Sequence, residues 1–132
     1  MPTKNLTATD FEQTVLDSGI VLVDFWAEWC GPCKQFGPIY EAASNENPDI
    51  TFAKIDTEAE QQLAAAAGIT SIPTLMAFRD GVLVFSQPGA LPAPALGQVI
   101  DAVRGLDMEK VQADVAAQRA AAEAAPAAAP AE

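Results

Sequence analysis

IVLVDFWAEWCGPCK, residues 20–34, is the stretch on which the fold turns. Its first half, Ile20 to Trp26, is nearly continuous in β-branched and aromatic side chains, the pattern of a strand buried on both faces. Its second half carries Cys30 and Cys33 with Gly31-Pro32 between them, and Pro32 stands where the first turn of a helix tolerates a missing N–H. A buried strand that runs straight into a helix opens a strand–helix–strand unit. The two cysteines therefore fall at the carboxyl end of the strand and the amino end of the helix.

Working outward, the helix after Pro32 continues from Lys34 to Asn45, with Pro38 inside it as an expected kink. Ile50 to Ile55 (ITFAKI) reads as a second central strand, and Glu58 to Ala67 as an Ala-rich helix ended by Gly68. Thr74 to Arg79 and Val82 to Ser86 flank Asp80-Gly81, a dipeptide suited to a tight hairpin. A helix from about Pro94 to Arg104 is closed by Gly105. Upstream, Thr9-Asp10 precedes Phe11, Val15 and Leu16, a short amphipathic helix stopped by Gly19. Two strand–helix–strand units give a parallel core, the hairpin adds antiparallel strands at an edge, and handedness puts helices on both faces. The expected class is α/β with a central mixed sheet.

After Gly105 the character changes. Residues 1–105 are expected to form the domain and 106–132 an Ala/Pro-rich extension. Asp107 is placed as an N-cap, with Leu106 and Val111 able to staple around it, so a helix from Met108 to about Ala125 is expected, then a disordered end. Val111 and Val115 give that helix only a thin apolar stripe, so it should pack weakly or project.

Composition narrows the chemistry. The chain has 132 residues, two cysteines, no histidine and a net charge of −11. Without histidine there is no Ser-His-Asp triad, no Cys-His dyad and no His-ligated zinc. Two cysteines cannot fill a four-thiolate zinc or iron–sulfur site within one chain. The acidic balance argues against nucleic-acid and anionic-membrane partners. Gly81 to Ile100 is free of charge over a membrane-spanning length, but Pro88, Pro92 and Pro94 with Gly89 and Gly97 break it into strand, loop and helix. The N-terminus shows no apolar secretory core, so a cytoplasmic address is expected. In that compartment a close cysteine pair is catalytic or metal-binding rather than a staple.

A helix N-terminus offers unpaired N–H groups and the positive end of a dipole, and both stabilise a thiolate. Cys30, before the first turn, is expected to be the more acidic and more exposed sulfur, and Cys33, one turn in, the shielded one. That asymmetry supplies a nucleophile and a resolving thiol. The competing reading is a zinc half-site or an inert pair, with no second pair of ligands to support it.

Val23 to Lys34, VDFWAEWCGPCK, resembles the thioredoxin family, and the match extends through Asp24, Trp26, Lys54 in FAKID, Ile72-Pro73-Thr74, Asp80-Gly81 and Gly89-Ala90, covering about residues 5–105. The resemblance implies the thioredoxin fold and a dithiol–disulfide oxidoreductase. Cys30 would attack a substrate disulfide, a mixed disulfide would form, and Cys33 would resolve it. No nucleotide-binding glycine loop is present, so the electrons would come from a partner thioredoxin reductase, with no cofactor beyond the redox-active Cys30–Cys33 pair.

Asp24, an acid inside an apolar strand, should have its pKa raised by desolvation and act as a general base toward Cys33, with Lys54 as its charge partner. The bland alternatives are a solvent-facing Asp24 at a strand edge and a Lys54 that snorkels to the surface. The resemblance makes the Ile72–Pro73 bond cis and lays it against the disulfide, where sequence alone would default to trans. Trp29, Gly31, Pro32, Ile72, Pro73, Gly89 and Ala90 are expected to meet disulfide-bearing protein substrates through an uncharged surface, and Trp26 to support the active-site turn. The chain is expected to be a monomer. From another class, the same surface could serve a non-catalytic binding module or holdase, which would survive loss of Cys30.

Overall fold

The computed structural model describes residues 3–124. The expected disordered end falls outside them. The elements are β1 (Thr3–Asn5), α1 (Phe11–Asp17), β2 (Ile20–Trp26), α2 (Gly31–Glu46), β3 (Thr51–Asp56), α3 (Gln61–Ala66), β4 (Thr74–Arg79), β5 (Val82–Pro88), α4 (Ala93–Arg104) and α5 (Met108–Ala124).

One five-stranded sheet has the order β1-β3-β2-β4-β5. β3 pairs parallel with both β1 and β2, whereas β2–β4 and β4–β5 are antiparallel, so the sheet is mixed as expected. β2 lies at its centre, and Val21 through Phe25 are all buried. Alternation along β2 sends side chains to two cores. Leu22 joins Phe36, Tyr40, Phe52, Leu96 and Ile100 under α2 and α4. Val21, Val23 and Phe25 join Leu6, Ile55 and Met76 under α1 and α3.

Local chemistry explains where elements differ from the sequence reading. α3 starts at Gln61, not Glu58, because the Asp56 carboxylate accepts the Glu58 and Ala59 N–H groups at 2.9 and 3.4 Å and holds those residues in a turn. β5 runs on to Pro88, two residues past Ser86. α2 continues unbroken through Pro38. In α1, Val15 is buried but Leu16 is 60% exposed, lying against the hairpin turn instead of in the core. That turn has positive φ at both Asp80 (53°) and Gly81 (82°), the geometry of a two-residue hairpin whose twist suits the strands. A side chain at Gly81 would press on Leu16 at 3.3 Å as well as strain the backbone.

α5 is capped by Asp107, whose Oδ1 accepts the Lys110 N–H at 3.2 Å. Apart from half-buried Met108, Val111 and Val115, residues 108–123 are exposed. Just before it, the Arg79 guanidinium donates to the carbonyl oxygens of Val103, Arg104 and Leu106 at 2.9, 3.0 and 3.0 Å. One side chain thus closes the end of α4 and holds Leu106 at the end of β4.

Candidate active site

β2 delivers the chain to the bend after Trp26, and α2 begins at Gly31 with Cys30 as its N-cap. The Cys33 N–H donates to Cys30 Sγ at 3.1 Å, so the sulfur occupies the place a capping oxygen usually takes. Cys30 and Cys33 form a disulfide with Cα atoms 5.2 Å apart. Both residues are buried, at 3% and 5% exposure, which corrects the expectation that Cys30 is the more exposed. Trp29 accounts for the difference. It is 67% exposed and projects beside the disulfide, taking the solvent-facing position itself.

The Ile72–Pro73 peptide is cis. The Ile72 carbonyl oxygen lies 3.7 Å from Cys30 Sγ, so this backbone does rest against the disulfide. Gly89, at φ 103°, donates its N–H to the Pro73 carbonyl at 2.7 Å and ties the two loops together. An open groove of about 370 Å³ runs beside Cys30, with Trp29, Gly31, Pro32 and Ile72 in its walls. Gly89 and Ala90 are exposed but do not line it. Its opposite wall is Thr57, Ala64, Ile69, Thr70 and Ser71. Sequence reasoning missed these five. Ile69 to Ser71 immediately precede Ile72-Pro73, and that adjacency was the available signal.

On the other side of the disulfide the surroundings change. Asp24 is 1% exposed, and neither carboxylate oxygen has a hydrogen-bond partner. Burial pushes its pKa up to about 7, opposed by the positive charge of Lys54. Lys54 faces Asp24 in strand register but makes no salt bridge to it. Its Nζ instead stacks over the Trp26 ring, 4.8 Å from the centroid. The expected partnership is therefore through space, which is why the carboxyl stays proton-loving. Trp26 packs against Ala27, Cys30 and Cys33, and its indole N–H is also buried without a partner. A small cavity of about 140 Å³ lined by Trp26, Glu28, Cys33, Lys34, Gly37 and others including Lys54 opens beside Cys33. Deeper in, the Tyr40 hydroxyl donates to the Ala53 carbonyl at 2.8 Å, and burial together with the nearby Asp24 pushes its pKa well above the ordinary range. Among the described residues no group of His, Cys, Asp or Glu is arranged to hold a metal ion.

A cysteine pair that closes a short disulfide at a helix N-terminus, beside a cis-proline loop and after a central strand that buries a carboxyl, defines a dithiol–disulfide oxidoreductase on a mixed α/β sheet. Comparison with known proteins agrees. The thioredoxin family model matches residues 2–102. A Streptomyces coelicolor chain called thioredoxin 2 is 60% identical over 118 residues, 89% of this chain and 88% of its own. Thioredoxin 1 of Synechococcus elongatus is 42% identical over 98 residues, covering 73% and 92%. Among solved structures, a Halobacterium salinarum thioredoxin superposes with TM-score 0.74 at 34% identity, over 79% of this chain and 92% of that one. A Plasmodium falciparum thioredoxin gives 0.71 at 35%, over 75% and 97%. The chain belongs to the thioredoxin family. It is a protein dithiol–disulfide oxidoreductase, and family membership makes disulfide-bearing proteins and a thioredoxin reductase its general partners. No helix among the described residues is long and apolar enough to cross a membrane.

Proposed function

We propose that the protein runs in the reducing direction, in the cytoplasm, as a monomer, with electrons supplied by a thioredoxin reductase and no bound cofactor. The Cys30 thiolate attacks one sulfur of a substrate disulfide, the substrate bond breaks, and one substrate thiolate leaves. Asp24 then accepts the Cys33 proton through water. Cys33 attacks Cys30 Sγ, the mixed disulfide breaks, and the second substrate thiol leaves reduced. The electron pair now resides in the substrate, and Cys30–Cys33 is the disulfide that the reductase reopens.

Trp29, Gly31, Pro32 and Ile72 hold the substrate strand beside Cys30, with Gly89 and Ala90 at the far loop; Pro73 is fully buried and outside the groove, which corrects the expectation that it meets substrate itself. The observation that carries this reading is the Cys30–Cys33 disulfide seated at the α2 N-terminus, with an unpartnered, buried Asp24 on the strand that leads to it. The N–H groups of the first turn favour the thiolate of Cys30, and a carboxyl with pKa about 7 is half ionised at neutral pH, when a base is needed. Gly-Pro between the cysteines leaves that helix end without the histidine that would stabilise a thiolate further and favour oxidation.

The test is insulin disulfide reduction driven by NADPH and a thioredoxin reductase. Wild type should turn over, Cys30→Ser should lose turnover entirely, and Cys33→Ser should accumulate the mixed disulfide on a gel without reductant. No turnover by wild type, with substrate binding unchanged in Cys30→Ser, would sink the reading and return the protein to the binding modules.

A further inference from the structure

The groove beside Cys30 has a charge pattern that the redox chemistry does not require. Its walls carry no ionised side chain: Trp29, Thr57, Ile69, Thr70, Ser71 and Ile72 are apolar or hydroxyl-bearing. At one end, however, the Trp29 indole N–H donates to Glu58 Oε2 at 3.3 Å. Glu58 follows groove residue Thr57 in the chain and is exposed. Its neighbours are otherwise committed. Asp56 holds the N–H groups of Glu58 and Ala59, and Glu60 accepts the Ala8 N–H at 2.9 Å. The cations Lys34 and Lys54 belong to the cavity on the Cys33 side, and Lys54 lies over Trp26. Glu58 is thus a carboxylate fixed to the groove rim, with no cation in the groove walls. Beyond it an open depression of about 320 Å³, lined by Ala8 and residues 58–63, leaves room for a long side chain.

Resting on the disulfide-reductase reading, we propose that Glu58 is a specificity residue: the groove selects protein strands that carry arginine or lysine beside the disulfide to be attacked. The strand lies along the uncharged wall, and its cation reaches the Glu58 carboxylate. Trp29 has a double part, since its ring forms the groove wall while its N–H keeps the carboxylate at the rim. A substrate with an acidic residue at that position meets Glu58 and a body of net charge −11. At an exposed rim the attraction and the repulsion are each modest and screened by salt, so the effect appears as a ratio of rates rather than as all-or-none binding.

The probes are three cyclic peptides, each closed by one disulfide and differing only in Arg, Gln or Glu next to each cysteine. Second-order reduction rates are measured with the reduced full-length protein by stopped-flow tryptophan fluorescence. At low salt the Arg peptide should react roughly three- to tenfold faster than the Glu peptide, with Gln between, and the ratio should shrink in about 0.5 M salt. Glu58→Gln, which retains an acceptor for the indole, should bring the ratio close to one. Asp114→Asn, the same charge change on exposed α5, should leave the ratio as in wild type. Equal rates for all three peptides, or an equal drop in the ratio with Asp114→Asn, would overturn the specificity assignment while leaving the reductase intact. If none of the three peptides is reduced, the reductase reading itself fails.

Discussion

The same functional group stands on either side of one disulfide and is treated in opposite ways. Toward the groove, Glu58 is exposed and accepts a hydrogen bond from Trp29. Toward the sheet, Asp24 is buried, unpartnered, and carries a pKa near 7. Glu58 is bonded to Trp29 and Asp24 stands on β2, the strand that leads to the cysteines, so position alone does not assign their parts. Solvation does. A hydrated carboxylate stays ionised and can only attract or repel, whereas a desolvated one is poised to take a proton. On the proposed function the disulfide has a recognition side and a proton-transfer side, and each can be perturbed separately.

The largest effect belongs to the proton-transfer side. Asp24→Asn should slow resolution of the mixed disulfide by roughly tenfold to a hundredfold at pH 7, and flatten its rise with pH, because a side-chain base contributes on that order. The substitution should also raise stability, with a sign that depends on pH. Asp24 goes from an ordinary pKa of 3.8 to about 7 on folding. Below about pH 4 both states are protonated, and ionisation costs nothing. Between about 4 and 7 only the unfolded state ionises, so wild-type stability falls as pH rises, and the loss is complete above 7. The shift corresponds to roughly 4 kcal/mol at full ionisation, reduced to about 1–3 kcal/mol in the mutant comparison because a buried Asn amide is also unsatisfied. Urea midpoints for both proteins at pH 5 and pH 8.5 check this. A gain at pH 5 equal to that at pH 8.5 would show that Asp24 is not the group that titrates.

How much of this was readable beforehand follows the range over which each feature is decided. IVLVDFW announced a central strand because burial on both faces leaves a continuous apolar run. The lone Asp24 within it announced a perturbed acid for the same reason. Asp80-Gly81 announced the hairpin because the required positive φ is a property of two residues. What pattern did not reveal is decided between elements. That Lys54 stacks on Trp26 instead of bonding Asp24, and that Thr57 and Ile69 to Ser71 form the second groove wall, depend on how β3, α3 and the loop before β4 pack. The burial of Cys30 beneath an exposed Trp29 is likewise a matter of packing, where helix position alone suggested exposure.

A smaller effect should follow from Lys54→Met. The methionine keeps the stem's apolar contact with Trp26 but removes the charge that holds the Asp24 pKa down. The Asp24 midpoint should then rise, slowing resolution a few-fold at pH 7 while leaving the plateau at high pH near that of wild type. A pH–rate profile that does not move would mean Lys54 acts on Trp26 alone. Because Lys54 is on the Cys33 side, the Arg-to-Glu peptide ratio set by Glu58 should not change, which keeps the two sides of the disulfide separable.

The smallest effect is expected far from both sides. α5 leaves the body after Leu106, and the contacts that hold this junction are made before the helix starts. Arg79 donates to the carbonyls of Val103, Arg104 and Leu106, and none of these is in α5. Among residues 108–123 of α5 only Met108, Val111 and Val115 are even half-buried. A chain ending at Asp107 retains the whole Arg79 anchor and should lose less than about 1 kcal/mol, because partial cover of three side chains forfeits little apolar burial. Its insulin turnover should match that of the full chain, since α5 contributes nothing to the groove or to the cavity beside Cys33. By contrast, Arg79→Ala in the full chain leaves three carbonyls without their donor, two of them in partly buried bonds, and should cost more than the truncation. The 60% identical Streptomyces chain aligns over 118 residues, so the likeness reaches past residue 105 into the extension. If truncation at Asp107 nevertheless costs more than Arg79→Ala, α5 packs on the body through its Val111–Val115 stripe and belongs to the domain.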